Sequence, residues 1–335
     1  MKNSIIKTIV VTGGFGFIGS RFVRQVIETT PFNVKIIDKL TYAGDKKRVY
    51  SWLNSCDESR VEAVHMDICD VTPATLKEAT YIVNFAAESH VDNSIKDGKP
   101  FIRSNVEGVF NLLQQSKEVK GLKKFIQIST DEVYGDMADL RGRQSADESF
   151  RLRPSSYYSA TKASADLLVQ SAARTFGIPY LITRSCNNFG PGQDDEKFLP
   201  TLFKSIAEGK EVPVYGDGLQ SREWIHVDDN AQIILDLLLS SATNEVYNIG
   251  SGYHYKNIEI VNFVGESLGK EVKYKHVADR LGHDRAYRIN ASKVEEFLHG
   301  FDQGYMRVYQ TLEGFLKDEV VKHQIKEQKD IIDRC

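Results

Sequence analysis

A largely apolar run, a loop with three evenly spaced glycines and a helix-like stretch follow one another at the start of this chain. Residues 5 to 11 are Ile-Ile-Lys-Thr-Ile-Val-Val, and residues 12 to 20 carry Gly13, Gly16 and Gly19. The first glycine permits a tight turn, the second a close approach of the backbone to a phosphate, and the third close packing of a helix on a strand. This order predicts an α/β protein that opens with a dinucleotide-binding strand, loop and helix.

The end of the next predicted strand indicates which dinucleotide is bound. Residues 34 to 37 lead into Asp38, at the distance of roughly 20 residues from the glycines that is typical of a ribose-binding carboxylate. A carboxylate there accepts hydrogen bonds from both ribose hydroxyls of NAD and repels the 2′-phosphate of NADP. The sequence therefore favours NAD, while Lys39 and Arg48 nearby leave NADP open as the alternative.

The first half of the chain alternates apolar runs with helical stretches, as a doubly wound parallel sheet does. Beyond Asn187, loops rich in Gly, Pro and Asp replace that rhythm. We expect a Rossmann-type domain over residues 1–186, joined by residues 224–249, and a smaller, interleaved substrate-binding lobe over residues 187–335. Strands, each expected to be apolar on both faces, are predicted at residues 5 to 11, 34 to 38, 61 to 66, 81 to 86, 124 to 129 and 180 to 184. Helices are predicted at residues 101 to 117 and 157 to 175, the second capped near Ser156 and ended by Gly177.

Two adjacent carboxyl side chains, Asp131 and Glu132, follow directly behind the apolar residues 125 to 128. Near a buried strand end both lose hydration and each repels the other, so we expect their pKa values to be pushed apart. Such a pair is suited to supply one acid and one base. Tyr158 and Lys162 stand four residues apart on one helical face, where the ammonium is expected to lower the pKa of the phenol and make it usable as a base.

Composition excludes several classes of protein. The 43 Lys and Arg against 46 Asp and Glu give a net charge of −3, which provides no basic field for nucleic acid. The four cysteines lack metal-ligand spacing and are too few for a disulfide scaffold, so we expect neither a metal site nor a disulfide framework. No apolar run reaches the ~18 residues of a membrane span, and the first strand begins too early for a signal peptide. We therefore expect a cytoplasmic protein that binds neither nucleic acid nor membrane.

These motifs together resemble the extended short-chain dehydrogenase/reductases, a family of nucleotide-sugar-modifying enzymes, and within it the dTDP-glucose 4,6-dehydratases. The narrower resemblance extends from Ile9 to about Ile289, and the Thr-Asp-Glu triplet at residues 130 to 132 is its most specific element. It is carried by residues 38 to 44 (DKLTYAG), 86 to 92 (AAESHVD), 129 to 135 (STDEVYG) and 282 to 285 (GHDR).

The resemblance implies NAD-dependent dehydration of a nucleoside-diphosphate glucose to the 4-keto-6-deoxy sugar, with dTDP-glucose as the expected substrate and UDP- or CDP-linked sugars as alternatives. It implies that Tyr158, Lys162 and Thr130 serve oxidation at C4, that Glu132 removes the C5 proton, and that Asp131 protonates the leaving C6 hydroxyl. NAD binding is implied for Gly13, Gly16, Phe17, Ile18, Gly19, Asp38, Lys39, Thr41, Asp67, Ile68, Ala86, Ala87, Ser89, Tyr158 and Lys162. Substrate binding is implied for Ser89, Thr130, Asn187, Lys197, Arg222, Asn257, Arg280 and His283.

Other interpretations share part of this pattern. A nucleotide-sugar 4-epimerase or a UDP-glucuronate decarboxylase would share the glycine loop, Tyr158 and Lys162, but neither needs both carboxyls at 131 and 132. A non-catalytic NAD-binding scaffold usually loses the Tyr or the Lys. Leu281, Ala286 and residues 192 to 195 depart from the family's usual Pro, Arg and loop at the nucleotide end, which leaves the nucleotide open. The resemblance also implies a homodimer, held by a four-helix bundle of the two predicted helices and their copies.

Overall fold

The computed structural model describes residues 7–53, 55–138, 145–269, 271–299 and 311–332, with side chains described up to residue 322. The strands are Thr8–Thr12 (β1), Asn33–Asp38 (β2), Val61–His65 (β3), Ala79–Asn84 (β4), Lys124–Thr130 (β5), Tyr180–Ser185 (β6), Asn187–Phe189 (β7), Val212–Tyr215 (β8), Ser221–His226 (β9), Glu245–Ile249 (β10), His254–Lys256 (β11) and Tyr274–Val277 (β12). The first residues of the predicted opening strand, Ile5 and Ile6, and the cysteine at 335 lie outside the described residues.

The helices flank these strands, and short turns join them. They are Phe17–Thr29 (α1), Lys47–Leu53 (α2), Pro73–Leu76 (α3), Val91–Lys96 (α4), Lys99–Ile102 (α5), Gly108–Ser116 (α6), Tyr157–Phe176 (α7), Phe198–Ala207 (α8), Val227–Leu239 (α9), Asn257–Leu268 (α10), Ser292–His299 (α11) and Leu312–Ile332 (α12). A π-helical turn, Arg103–Glu107, connects α5 to α6, so the helix predicted over residues 101 to 117 has a bulge in its middle. Within the described ranges, no helix is both long enough and apolar enough to cross a membrane.

The main sheet confirms the predicted doubly wound parallel architecture. Its seven strands lie in the order β10-β6-β5-β4-β1-β2-β3 and every neighbouring pair is parallel. Alternate residues of β1 lie on opposite faces of the sheet. Ile9 and Val11 pack with residues of α1 and α9, whereas Val10 packs with residues of α6 and α7. Residues two apart on a strand share a face, so burying every position requires a helical layer on each side.

One prediction about the strands is wrong. We expected every strand to be apolar on both faces, but β3 is the edge strand of the sheet and pairs with β2 alone. Its residues Glu62, Ala63 and His65 are exposed. A strand at an edge has a free side, and polar residues there discourage pairing with another chain.

Beyond residue 186, some strands form smaller sheets, and one joins the main sheet. Strands β7, β9 and β11 form a small sheet whose core includes Phe189, Trp224 and Phe315, and β8 pairs with β12. Strand β10 instead joins the main sheet beside β6, and α9 packs on α1. We expected residues from Trp224 onward to return to the main sheet, but Trp224 to His226 belong to β9 of the small sheet. The division into two lobes at residue 186 stays a prediction.

Candidate active site

A groove follows the carboxyl ends of the central strands, where the strand order reverses between β1 and β4, as ligand sites of such sheets do. It consists of two cavities of about 570 and 1110 Å³. Every residue that the sequence analysis assigned to NAD lines one or both of them. The two cavities share Gly13, Gly16, Ala43, Phe85 and Ala87, which therefore mark the junction between them.

The glycine loop leaves room for a phosphate at this junction. Gly13 has φ +67°, and a Cβ there would lie 2.6 Å from the backbone nitrogen of Ala86. A Cβ on Gly19 would lie 2.3 Å from the carbonyl oxygen of Gly13. Helix α1 begins at Phe17 behind Gly16, and no side chain caps its first N–H groups. Uncapped N–H groups at a helix start bind phosphate well, so these residues fit the pyrophosphate of a dinucleotide.

The carboxylate of Asp38 also accepts hydrogen bonds from the backbone, which the sequence did not predict. Its Oδ2 accepts a hydrogen bond from the N–H of Phe15 at 2.9 Å, and its Oδ1 accepts one from Leu40 at 2.7 Å. The carboxylate therefore ties the glycine loop to the segment that follows β2. Each oxygen of a carboxylate has two lone pairs, so the same group can still accept the ribose hydroxyls of NAD from the cavity that it lines.

Lys39 and Arg48, because of which NADP remained an alternative cofactor, each form an ion pair with a carboxylate. Lys39 Nζ lies 2.8 Å from Asp67 Oδ2, and Arg48 Nη2 lies 2.7 Å from Asp194 Oδ1. Burial alone would raise the pKa of Asp67, but hydrogen bonds from Lys39 and from Cys69 bring it to about 2. An ionised Asp67 holds Lys39 in place, and this arrangement favours NAD over NADP.

The predicted catalytic residues Thr130, Asp131 and Glu132 lie where β5 ends. Thr130 Oγ1 accepts a hydrogen bond from the N–H of Glu132 at 3.3 Å and donates one to Asp131 Oδ1 at 3.1 Å. Asp131 is only 2% exposed. Burial, together with the nearby carboxylates of Glu132 and Glu223, raises its pKa well above the usual range. Asp131 is thus suited to carry a proton at neutral pH.

Glu132 has different neighbours. It lines the larger cavity, and burial raises its pKa, while the cations of Arg280, Arg222 and Lys197 act in the opposite direction. The largest charge effects on Asp131 thus come from carboxylates, and those on Glu132 come from cations. A carboxyl kept neutral beside one that cations help to ionise is a pattern of paired acid and base groups.

Tyr158 and Lys162 lie in the first turns of α7 and line the same cavity. Lys162 Nζ donates a hydrogen bond to the carbonyl oxygen of Ile128 on β5, and burial lowers its pKa to about 8. Burial, followed by the charges of Glu132 and Asp131, raises the pKa of Tyr158. The predicted lowering of the phenol pKa by Lys162 is therefore not found in this structure, because the ammonium is directed toward the β5 backbone.

The residues assigned to the substrate fall into two groups. Ser89, Thr130, Asn187 and Lys197 line the larger cavity. Arg222, Asn257, Arg280 and His283 line neither of the two cavities.

Arg222 and Arg280, both of the second group, still affect the charge of Glu132. Arg222 lies 4.4 Å from the ring of Tyr287 and donates to the carbonyl oxygen of Asp284 at 2.9 Å. Arg222 and Arg280 are close enough to Glu132 to oppose the rise in its pKa. Burial and the charge of Arg280 lower the pKa of His283 to about 4, so its ring is neutral at pH 7.

Sequence reasoning missed two side chains at the carboxyl pair. Tyr287 donates to Asp284 Oδ2 at 2.7 Å and lies 3.5 Å from Glu132 Oε2. Glu223 is buried, and its Oε1 accepts hydrogen bonds from the N–H groups of Ser251 and Gly252, each at 2.7 Å. A glutamate inside the otherwise buried strand β9 was the signal that could have singled out Glu223.

Comparisons with known proteins agree with this geometry. The model of the NAD-dependent epimerase/dehydratase family matches residues 9–250. The chain is 44% identical to the low-salt glycan biosynthesis protein Agl12 of Haloferax volcanii, over 86% of this chain and 91% of that protein. It is 39% identical to dTDP-glucose 4,6-dehydratase 1 of Escherichia coli K12, over 85% and 86%. The crystal structure of DesIV, a dTDP-glucose 4,6-dehydratase from Streptomyces venezuelae with NAD bound, is similar with TM-score 0.85 and 37% identity, covering 95% of this chain and 97% of that one.

Proposed function

The chain belongs to the NAD-dependent epimerase/dehydratase family, and within it we propose that the chain dehydrates a nucleoside-diphosphate glucose to the 4-keto-6-deoxy sugar. The proposed substrate is dTDP-glucose. This substrate is supported by the likeness to dTDP-glucose 4,6-dehydratases from Escherichia coli and Streptomyces venezuelae. The enzyme is NAD-dependent, and the residues that line the groove beside the glycine loop would hold the cofactor.

The observation that carries the proposal is the contrast between Asp131 and Glu132. Oxidation at C4 alone, as an epimerase needs, uses the Tyr/Lys pair and leaves no task for two carboxyls. Elimination of water across C5 and C6 requires a base at C5 and an acid at C6. The cations around Glu132 and the carboxylates around Asp131 suit these two tasks, since a general base must be ionised and a general acid protonated.

We assign a role to each side chain of the site. Tyr158 takes the proton of the C4 hydroxyl, and Lys162 compensates the charge of the phenolate. Thr130, which hydrogen-bonds with Tyr158, holds the C4 oxygen. The 4-keto group acidifies the C5 proton, which Glu132 removes. Asp131 donates its proton to the C6 hydroxyl, which leaves as water. Bound NAD would supply the hydride acceptor for C4 and the hydride donor for C6, while a proton from solvent returns to C5, so the cofactor would be unchanged after each turnover.

The test measures turnover of dTDP-glucose, UDP-glucose, CDP-glucose and UDP-N-acetylglucosamine in heavy water, followed by mass spectrometry. We expect the dTDP sugar to give a 4-keto-6-deoxy product with one deuterium at C5, because the proton that Glu132 removes is replaced from solvent. If a UDP or CDP sugar gave the highest turnover, the assignment of the nucleotide would be wrong, but the assignment of the reaction would stand. Recovery of a C4 epimer, without loss of water, would refute the dehydratase assignment.

We also propose a homodimer. The π-bulged helix and α7 are neighbours, and both expose large apolar side chains: Ile102 is 50%, Phe110 51% and Leu167 57% exposed. The opposite faces of these helices, with Leu112 and Val169, pack in the core beside the sheet. Apolar side chains that remain exposed along two adjacent helices are typical of a surface that another chain covers. Two copies joined there would form the four-helix bundle that the family resemblance implies.

For the location of the enzyme we propose the cytoplasm. Cys56, Cys69 and Cys186 are free thiols, and thiols in proteins persist unpaired in reducing compartments.

A further inference from the structure

Arg48, in the first turn of α2, connects three segments around the middle of the groove. Its Nη1 donates to the carbonyl oxygens of Ala43 at 2.5 Å and Phe15 at 3.3 Å, and its Nη2 donates to Asp194 Oδ1 at 2.7 Å. Phe15 belongs to the glycine loop. Ala43 belongs to residues 39 to 46, which we name the strap, and Asp194 to residues 190 to 197, which we name the clasp loop.

The strap lines the groove where its two cavities meet. Ala43 lines both cavities together with Gly13, Gly16, Phe85 and Ala87. The other four of these residues follow β1 and β4 at the sheet edge, so Ala43 is the shared residue contributed by the strap. A dinucleotide that extends through both cavities would pass Ala43, with its pyrophosphate at the glycine loop.

Two further contacts hold the clasp loop against the NAD-binding part of the chain. Tyr42 donates from its hydroxyl to Glu196 Oε1 at 3.2 Å, and Arg21 of α1 donates to the carbonyl oxygen of Pro191 at 3.1 Å. Tyr42 is 60% exposed, whereas the side chains of Arg48 and Asp194 are 17% and 19% exposed. A charge-assisted hydrogen bond that is largely shielded from water is stronger than an exposed one, so the Arg48–Asp194 pair is the principal fastening.

We propose that Arg48 and Asp194 form a clasp that retains NAD, by holding the strap against the middle of the groove. The inference rests on the proposed NAD-dependent function. Arg48 lines neither cavity and is a positioning residue, because it acts on the cofactor through the strap, whereas Asp194 also lines the larger cavity. Retention of NAD is compatible with a reaction that restores the cofactor at every turnover, since an enzyme that released NAD would have to bind it again before the next turnover.

The test measures the rate at which NAD leaves the full-length holoenzyme without any sugar present. The protein is diluted into excess isotopically labelled NAD, and the unlabelled NAD that remains bound is followed by mass spectrometry. We expect Asp194→Asn to release NAD about 3- to 10-fold faster, which is the effect of losing one partly buried ion pair. The matched control is Asp195→Asn, because it removes the same charge from an exposed neighbour and should release NAD at the wild-type rate.

Two further measurements separate a clasp from general loosening of the loop. Asp194→Glu keeps the carboxylate and should recover slow release. Arg48→Met combined with Asp194→Asn should release NAD no faster than Arg48→Met alone, because one pair can be broken only once. The proposal is overturned if Asp194→Asn releases NAD within twofold of wild type, or if the two substitutions are additive. If the protein neither carries nor takes up NAD, the proposed function fails with it; unchanged release with intact turnover refutes the clasp alone.

Discussion

At the scale of single residues, the site depends on giving two adjacent carboxyls opposite surroundings. Thr130 hydrogen-bonds with both residues that follow it, to the side chain of Asp131 and to the backbone of Glu132. Asp131 is buried near Glu223, and Glu132 lines the larger cavity, near Arg222 and Arg280. Their roles should therefore be separable by substitution.

Glu132→Gln and Asp131→Asn are expected to stop the reaction at different points. The Gln variant should bind sugar nucleotide but should neither exchange deuterium into C5 nor release ketosugar, because its amide cannot accept the C5 proton. The Asn variant should still exchange at C5, while loss of water slows by the ~10²- to 10⁴-fold typical of a missing acid. Mass spectrometry of substrate recovered from heavy water measures both steps. Equal loss of exchange and elimination in the two variants would contradict the division of roles.

The carboxyl of Asp131 should also lower the free energy of unfolding at neutral pH. Its folded pKa is raised, so the native state binds more protons than the unfolded state between the unfolded value, about 3.9, and the folded value. Stability then falls as pH rises through this interval, by up to about 1.4 kcal/mol per pH unit. Asp131→Asn carries no such penalty. In urea titrations it should unfold less readily than wild type at pH 7, with a smaller gain at pH 4.5. The control is Asp195→Asn, which removes a carboxyl from an exposed position and should leave the urea midpoint at pH 7 unchanged.

Tyr158→Phe tests the base at C4. We expect ketosugar formation to fall by ~10²- to 10⁴-fold, because the substituted ring has no hydroxyl to accept a proton. Binding of the sugar nucleotide should stay within a few-fold, measured by calorimetry. The neighbouring Tyr157 is 63% exposed, so Tyr157→Phe is the matched control and should turn over normally. A Tyr158→Phe enzyme with a rate comparable to wild type would show that another group removes the proton.

At the scale of elements, α7 positions Tyr158 and Lys162 through its first turns. Ser156 Oγ accepts from the N–H of Ser159 at 3.1 Å, and Ser159 Oγ accepts from the N–H of Ser156 at 3.0 Å. At the other end, Gly177 has φ +70°, a left-handed conformation that ends the helix at little steric cost. The catalytic tyrosine thus lies within the capped turn, and the cap should matter for both stability and catalysis.

Ser156→Ala should lower the free energy of unfolding by about 1 kcal/mol, the usual effect of losing an N-cap side chain. It should also reduce kcat more than it changes KM, since fraying of the first turn displaces Tyr158. Ser164, in the middle of the same helix, bonds only to the carbonyl oxygen of Ala160. Ser164→Ala is therefore the control, and urea titration should find its stability unchanged or slightly raised. Equal effects of the two substitutions would rule out a special role for the cap.

At the scale of the whole molecule, the exposed apolar residues of the helices predict the assembly. Leu167→Glu or Phe110→Glu should convert a dimer into a monomer in sedimentation velocity, because a charge buried at an apolar interface without a partner is costly. Leu281 is 77% exposed and lies elsewhere, so Leu281→Glu should leave the dimer intact. A wild-type chain that sediments as a monomer at micromolar concentration would refute the dimer.

The sequence by itself determined the features that are local along the chain. The glycine spacing, the apolar runs and the pair at residues 131 and 132 predicted the parallel sheet, the cofactor groove and the catalytic segment, because turns, strands and helices are set by neighbouring residues. The prediction failed for β3, where Glu62 and His65 interrupt the apolar residues, because we treated this segment as a central strand although it lies at an edge of the sheet.

Only the tertiary structure decided which charges face each other. Arg48 and Asp194 are 146 residues apart, and Glu223 and Arg222, which act on Asp131 and Glu132, come from a strand of the other sheet. Burial and distance fix the strength and sign of such interactions. The ionisation of the carboxyl pair, the direction of Lys162 and the fastening of the strap all depend on contacts between segments that the fold brings together, and no local pattern of residues encodes them.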